Sequence, residues 1–226
     1  IQNCSLKESY GINYSMRLRI KRFLYVYTLL DGWFWEAYVF FLFYEKKVKL
    51  IVMAILPIIK APDPILKKKC KKVEWVTSEI KQLMDDMLAT MYEAPGVGLA
   101  APQVSILKRI IVIDVAKQDE KPNPLKIINP EIIEASEELA TYDEGCLSFP
   151  THYVQIGRSA RVRVRYSDSE NKQREIEAEG ILSTCIQHEM DHLDGVLFVD
   201  HISFLKKNII LRKMKKQKKT EAKKRK

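Results

Sequence analysis

The sequence predicts an α+β domain in which mostly antiparallel sheets pack around a helix bearing an HExxH segment, with a further helix at the C-terminus. Three observations lead there. Apolar residues recur at helical spacing in two well-separated stretches, compact strand-like runs lie between them, and no regular strand-helix alternation calls for a parallel sheet. The 226-residue chain shows no internal repeat and is long enough to bury one core.

Between Ile55 and Leu66 the prolines at 57, 62 and 64 oppose a central strand, so an extended arm is expected. From Thr77 onward Ile80, Leu83, Met84, Met87, Leu88 and Met91 repeat at threes and fours until Pro95 and Gly96 stop the helix. Its methionines belong in the core, where a flexible thioether fills irregular space. Residues 110–115 form an aliphatic run bounded by charge, and 161–166 alternate basic with apolar; both read as strands, the second with one wet face. Residues 117–124 are a turn-rich loop, 173–179 a short strand, and 180–195 a helix closed by Gly195.

The formal charge of +9 suggests a nucleic-acid partner until it is located. Residues 205–226 carry twelve Lys or Arg against the single acid Glu221, a net +11 that leaves the remainder at −2. The surplus is therefore read as a tail. Leu205, Ile209, Ile210 and Met214 predict a helix that outlasts its core contact and frays into solvent. A salt-sensitive dock onto RNA, such as a ribosome surface, is the sharper alternative. We divide the chain at 1–52, 53–204 and 205–226.

Residues 23–44 are aromatic and apolar, but Asp31, Gly32 and Glu36 interrupt a span that nearly suffices for a bilayer. Met53-Ala54-Ile55-Leu56-Pro57 reads as a natural start just before the globular part. A misassigned start is the expectation for 1–52, with a targeting presequence or a membrane anchor as alternatives. Cys4, Cys70, Cys146 and Cys185 form no CxxC pair and no dense framework, which fits a reducing compartment better than a disulfide scaffold.

Gln187-His188-Glu189-Met190-Asp191-His192 sets two imidazoles one helical turn apart. Leu182, Cys185, Ile186 and Leu193 mark the buried stripe of that helix, and Glu189 falls within it. Cys185, His188, Glu189 and His192 then share one inward face, where a carboxylate and two rings are costly to bury without a partner. A metal would supply it. An exposed polar face, or a core histidine bonded to a backbone carbonyl, remains open on these residues alone.

Two further segments are candidates. Gly96-Val97-Gly98-Leu99-Ala100-Ala101-Pro102-Gln103 lets backbone approach a ligand and ends in an amide, or is simply a tight turn; it lacks the Lys and Ser or Thr of a phosphate loop. Glu144-Gly145-Cys146-Leu147-Ser148-Phe149-Pro150 offers either a ligand thiol or an ordinary buried cysteine.

In their order, GVGLAAPQ, EGCLS and QHEMDH resemble the three signature motifs of the peptide deformylase family, and the likeness covers nearly all of 53–213. The resemblance implies that Cys146, His188 and His192 bind a metal and that Glu189 is the general acid and base. It implies an oxyanion site at Gln103 and the Leu147 N–H, substrate approach at Gly98, and a methionine pocket lined by Val97, Thr184 and Cys185. The ion implied is Fe²⁺, with Zn²⁺, Ni²⁺ or Co²⁺ as possible substitutes. The reaction implied is removal of formyl from the N-formylmethionine of nascent peptides. The setting is a monomer in a bacterial cytoplasm, or a bacterium-derived organelle or membrane tether if 1–52 is genuine.

One departure stands out. Many relatives carry an arginine shortly after the second motif, where this chain has Thr151-His152-Tyr153, which affects recognition of the peptide beyond methionine. Asp191 and Glu144 are candidates for orienting ligands, whereas His152 and His201 are expected to be ordinary surface residues. Two rivals are an HExxH metalloprotease and a non-enzymatic RNA-binding protein whose metal is structural.

Overall fold

In the computed structural model the described residues are 53–117 and 120–224; the expectations for 1–52 lie outside them. In chain order the elements are α1 (Ser78–Glu93), β1 (Gly98–Ala100), β2 (Ile110–Ile113), β3 (Leu125–Ala135), β4 (Leu139–Cys146), β5 (Phe149–Ser159), β6 (Arg161–Ser167), β7 (Gln173–Glu179), α2 (Gly180–Leu193) and α3 (Phe204–Lys224). Short 3₁₀ turns occupy Pro64–Lys67, Ala101–Val104 and Phe198–His201. The expected arm before Leu66 has no strand, and the elements expected near 80–91, 110–115, 161–166, 173–179 and 180–195 are all present.

Strands β1, β2, β3, β6 and β7 make one antiparallel sheet in that order, and β4 and β5 form a separate hairpin. The Ile110-Ile111-Val112-Ile113 run of β2 is completely buried. Successive strand residues point to opposite faces. Ile110 and Val112 meet Met84, Met87 and Met91 of α1 on one side, while Ile111 and Ile113 meet Cys185, Ile186 and Leu193 of α2 on the other. A strand covered on both faces reads as a continuous apolar run, which is why it was visible without alternation. Each fully buried side chain of this size contributes about 1.5–3 kcal/mol.

Sequence patterning did not reveal β1, β3 or the β4–β5 hairpin. β1 lies inside the glycine-rich segment, which is a strand leading into a 3₁₀ turn and not a simple loop. β3 contains Asn129-Pro130 and breaks register between Ile128 and Glu131, with Asn129 at φ 51°. That irregularity has a use. The Asn129 amide accepts from the Val73 N–H (2.8 Å) and donates to its carbonyl (2.7 Å), fastening the incoming chain to the sheet.

A third core lies beneath the hairpin, where Phe149 meets Phe198 edge to face at 5.1 Å and Met214 anchors α3. Within the apolar stripe expected for α3, Ile210 and Met214 pack but Leu205 (71% exposed) and Ile209 (46%) do not. The start of this helix is held by polar groups instead: Lys207 donates its backbone N–H to Ser203 O and its Nζ to Asp200 (2.6 Å). Among the described residues no helix is long and apolar enough to cross a membrane.

Candidate active site

Helix α2 begins at Gly180, whose φ of 57° lets the chain turn directly out of β7. From there the 3.6-residue period brings Thr184, Cys185, His188, Glu189 and His192 to the buried side. The His188 and His192 rings lie 5.2 Å apart between centroids. The hairpin supplies the facing wall: at the end of β4 the register shifts between Gly145 and Cys146, and the Leu147-Ser148 turn follows. Cys146 Sγ thereby comes to 3.2 Å from His192 Nε2. The thiol and one ring nitrogen from each histidine all lie within 4.8 Å of one another.

The third wall comes from β1 and its 3₁₀ turn. Gln103 Oε1 accepts the Ala100 N–H (2.8 Å), which orients the amide so that Nε2 donates to Ser148 Oγ (3.2 Å) and faces Cys146 Sγ (3.6 Å). The N-terminal arm laces the two loops together, Ile59 N–H donating to Gln103 O (2.7 Å) and Ala61 N–H to Ser148 O (2.9 Å). The walls enclose a cavity of about 280 Å³, to which Val97, Gly98, Leu147, Thr184, Cys185 and Glu189 contribute. Of the residues implied as ligands, catalytic groups or pocket walls, Val97, Gly98, Cys146, Leu147, Thr184, Cys185, His188 and Glu189 line this cavity, and Gln103 and His192 meet the Cys146 thiol in its wall.

Glu189 is buried, and its Oε2 has no hydrogen-bond partner. Burial pushes its carboxyl up to about 7, with a smaller opposing pull from His188. A Cβ on Gly98 would stand 2.5 Å from Glu189 Oε1 and 2.8 Å from Cys185 Sγ, so only glycine leaves the carboxylate its place.

His188 donates Nδ1–H to Glu144 Oε2 (2.7 Å), which leaves its Nε2 lone pair free for the centre. Glu144 is itself clamped by Arg158, a residue the sequence reading missed; it is 6% exposed and also reaches Asp191 (2.8 Å). Burial opposes the ionised form of Glu144, but the bonds from His188 and Arg158 outweigh it and hold this carboxyl below the usual range. A signal existed: Ile156 and Arg158 share the inward phase of β5. His201 is exposed yet bonds Asp191 Oδ2 (2.7 Å), and His152 bonds Pro150 O (2.9 Å) at the cavity mouth.

The donor set suits a transition-metal ion. One thiol and two imidazoles, buried together with a ring fixed by a carboxylate, are expensive to keep without a cation, and three protein donors leave a position open to substrate or water. Such a centre on an α+β frame, with a glutamate beside it, defines a metal-dependent hydrolase. The polypeptide deformylase family model matches residues 55–208. The chain belongs to that family. It is 54% identical over 170 residues to a peptide deformylase of Mesorhizobium japonicum, covering 75% of this chain and 97% of the relative. With one from Bartonella quintana it shares 54% over 165 residues, 73% and 94% of the two chains. Among solved structures, peptide deformylase from Ehrlichia chaffeensis superposes with a TM-score of 0.71 at 38% identity, over 75% of this chain and 99% of the other. A Met-Ala-Ser-bound enzyme from Acinetobacter baumannii gives 0.63 at 38%, over 66% and 99%.

Proposed function

We propose that this chain removes the formyl group from the N-terminal N-formylmethionine of newly made proteins, using one Fe²⁺ held by Cys146, His188 and His192. The observation that carries the reading is the meeting of that thiol and those rings within 4.8 Å, beside a buried carboxylate oxygen of Glu189 that nothing else engages. Bound there, the ion supplies Lewis acidity and makes water a stronger acid.

The rest is the work of side chains. Glu189 takes the proton of the attacking water and later returns it to the departing amine, so one group serves as base and then as acid. The Gln103 amide, oriented by its bond from Ala100, and the Leu147 N–H donate to the developing oxyanion; donors of this kind are worth about 3 kcal/mol each. Gly98 lets the substrate backbone come close, and Val97, Thr184 and Cys185 wall the methionine side chain. In the Thr151-His152-Tyr153 stretch, Tyr153 lies over Gly145 at the cavity, where a Cβ would come within 2.5 Å of its ring.

In the same reading the enzyme is a monomer in a bacterial cytoplasm, and the basic α3 docks it to the ribosome. Release of formate from formyl-Met-Ala-Ser by protein kept under nitrogen with Fe²⁺ tests the proposal. A metalloprotease or a non-enzymatic RNA-binding protein with a structural metal yields no formate, and metal analysis of the active preparation identifies the ion.

A further inference from the structure

We infer that Lys68, Lys69, Lys71, Lys72 and Lys108 form a docking face for the phosphate backbone of structured RNA. The inference stands on this surface alone and extends beyond the tail to which sequence analysis confined the basic surplus.

The paired arginines of the sheet and hairpin contrast with this patch. Arg158, Arg161, Arg163, Arg165 and Arg174 on the sheet and hairpin each have a carboxylate partner. The five lysines are exposed and belong to no ion pair among the described residues. Lys108 has Glu79 within electrostatic reach, whereas no carboxylate pairs with Lys68, Lys69, Lys71 or Lys72 among the described residues, and a polyanion relieves the repulsion between such like charges.

The lysines are also held on fixed backbone. Cys70 is buried and donates its N–H to Leu193 O (2.8 Å), Lys71 N–H donates to Leu107 O (3.0 Å), and Arg109 N–H to Lys71 O (2.9 Å). A parallel bridge sets Lys71 beside Lys108. Such preorganised charges lose little entropy on binding.

Tertiary structure ties the residues just before the run to α3. Asp200 is shared by Lys67 and Lys207, and Asp63 faces Lys218 at 3.7 Å. These two acids are thereby neutralised where α3 approaches the segment that leads into the run. Trp75, 69% exposed just past the run, offers a face on which an unpaired base can stack. The apolar members of the run itself, Leu66, Cys70 and Val73, are buried and have nothing to insert into a bilayer.

The test uses the full chain, a fluorescein-labelled RNA hairpin followed by anisotropy from 50 to 200 mM salt, and vesicles containing phosphatidylserine. Replacing Lys68, Lys69, Lys71 and Lys72 by Gln is expected to weaken RNA binding at least tenfold and to lower the slope of log affinity against log salt by about 3 to 4. Formate release and the thermal melt are expected to stay unchanged. If the fourfold variant melts early, Lys69→Gln with Lys72→Gln is expected to give about half the slope change. RNA binding untouched by these changes but lost on deleting 215–226 overturns the inference. So does binding to vesicles alone, which the exposed Phe204 and Leu205 would serve, or no RNA binding at 50 mM salt. Absence of formate from the unaltered chain would count against the deformylase reading and leave this titration to decide its own question.

Discussion

Arg158 grips Glu144 with two parallel hydrogen bonds, Nε to Oε1 at 2.5 Å and Nη2 to Oε2 at 3.0 Å, and both residues are buried. Glu144 then receives the His188 ring, so a guanidinium two bonds away sets the orientation of a proposed ligand. Arg158→Met removes one member of a buried pair and leaves Glu144 charged and alone, a change that costs about 3–5 kcal/mol. A lower melting temperature together with faster metal loss on dialysis is the expected result. Arg158→Lys keeps the charge but not the fork, and is expected to recover stability only in part.

Glu189→Gln preserves shape and removes the base. Its metal content, measured by elemental analysis, should match that of the unaltered chain while turnover falls about 10²–10⁴-fold. Substantial residual turnover would remove Glu189 from the mechanism.

Cys146→Ser acts on the opposite property. A hydroxyl is a far poorer soft-metal donor than a thiolate, so the variant should lose its ion on dialysis before any comparison of rates is meaningful. Retention of the full metal content would exclude the thiol as a ligand.

Gly98→Ala is a steric test of the carboxylate's position. The added methyl would occupy the space 2.5 Å from Glu189 Oε1, and the carboxylate must swing away. Misplacement of this order costs about a hundredfold in rate, with metal content unchanged. A variant with normal turnover would show that Glu189 has slack the packing does not reveal.

Asp200 supplies a pH dependence. Burial raises its pKa, but Lys207, Lys67 and the Leu197 N–H outweigh burial and bring it from 3.8 down to about 2. A depressed acid stabilises the fold above its unfolded pKa and loses that contribution as pH falls through the folded one. Asp200→Asn, which can still accept from Leu197, should therefore lower stability by about 1–2 kcal/mol at pH 7. The gap should close between about pH 4 and pH 2. An equal gap at both ends would assign the effect to something other than the charge.

Local pattern carried much of this protein. Helix α1 and the strands β2, β6 and β7 were legible because their periods and stop signals lie within the elements themselves, as Met84-Met87-Met91 before Pro95 illustrates. The inward face of α2 followed from spacing alone, since 3.6 residues per turn puts His188 and His192 together whatever surrounds them. Other features depended on distant partners. β4 and β5 expose much of their length and cover their core only once Phe198 and Met214 arrive from the C-terminal segment, so neither displays a strong pattern. Arg158 reads as a surface arginine until Glu144 and Asp191 close over it. The lysines at 68–72 were cancelled in a whole-chain charge count, and only folding set Lys71 beside Lys108. Periodicity is a property of consecutive residues and can be read from them, whereas a charge's partner and a thiol's distance from a ring are set by chain closure across dozens of residues, which tertiary packing alone decides.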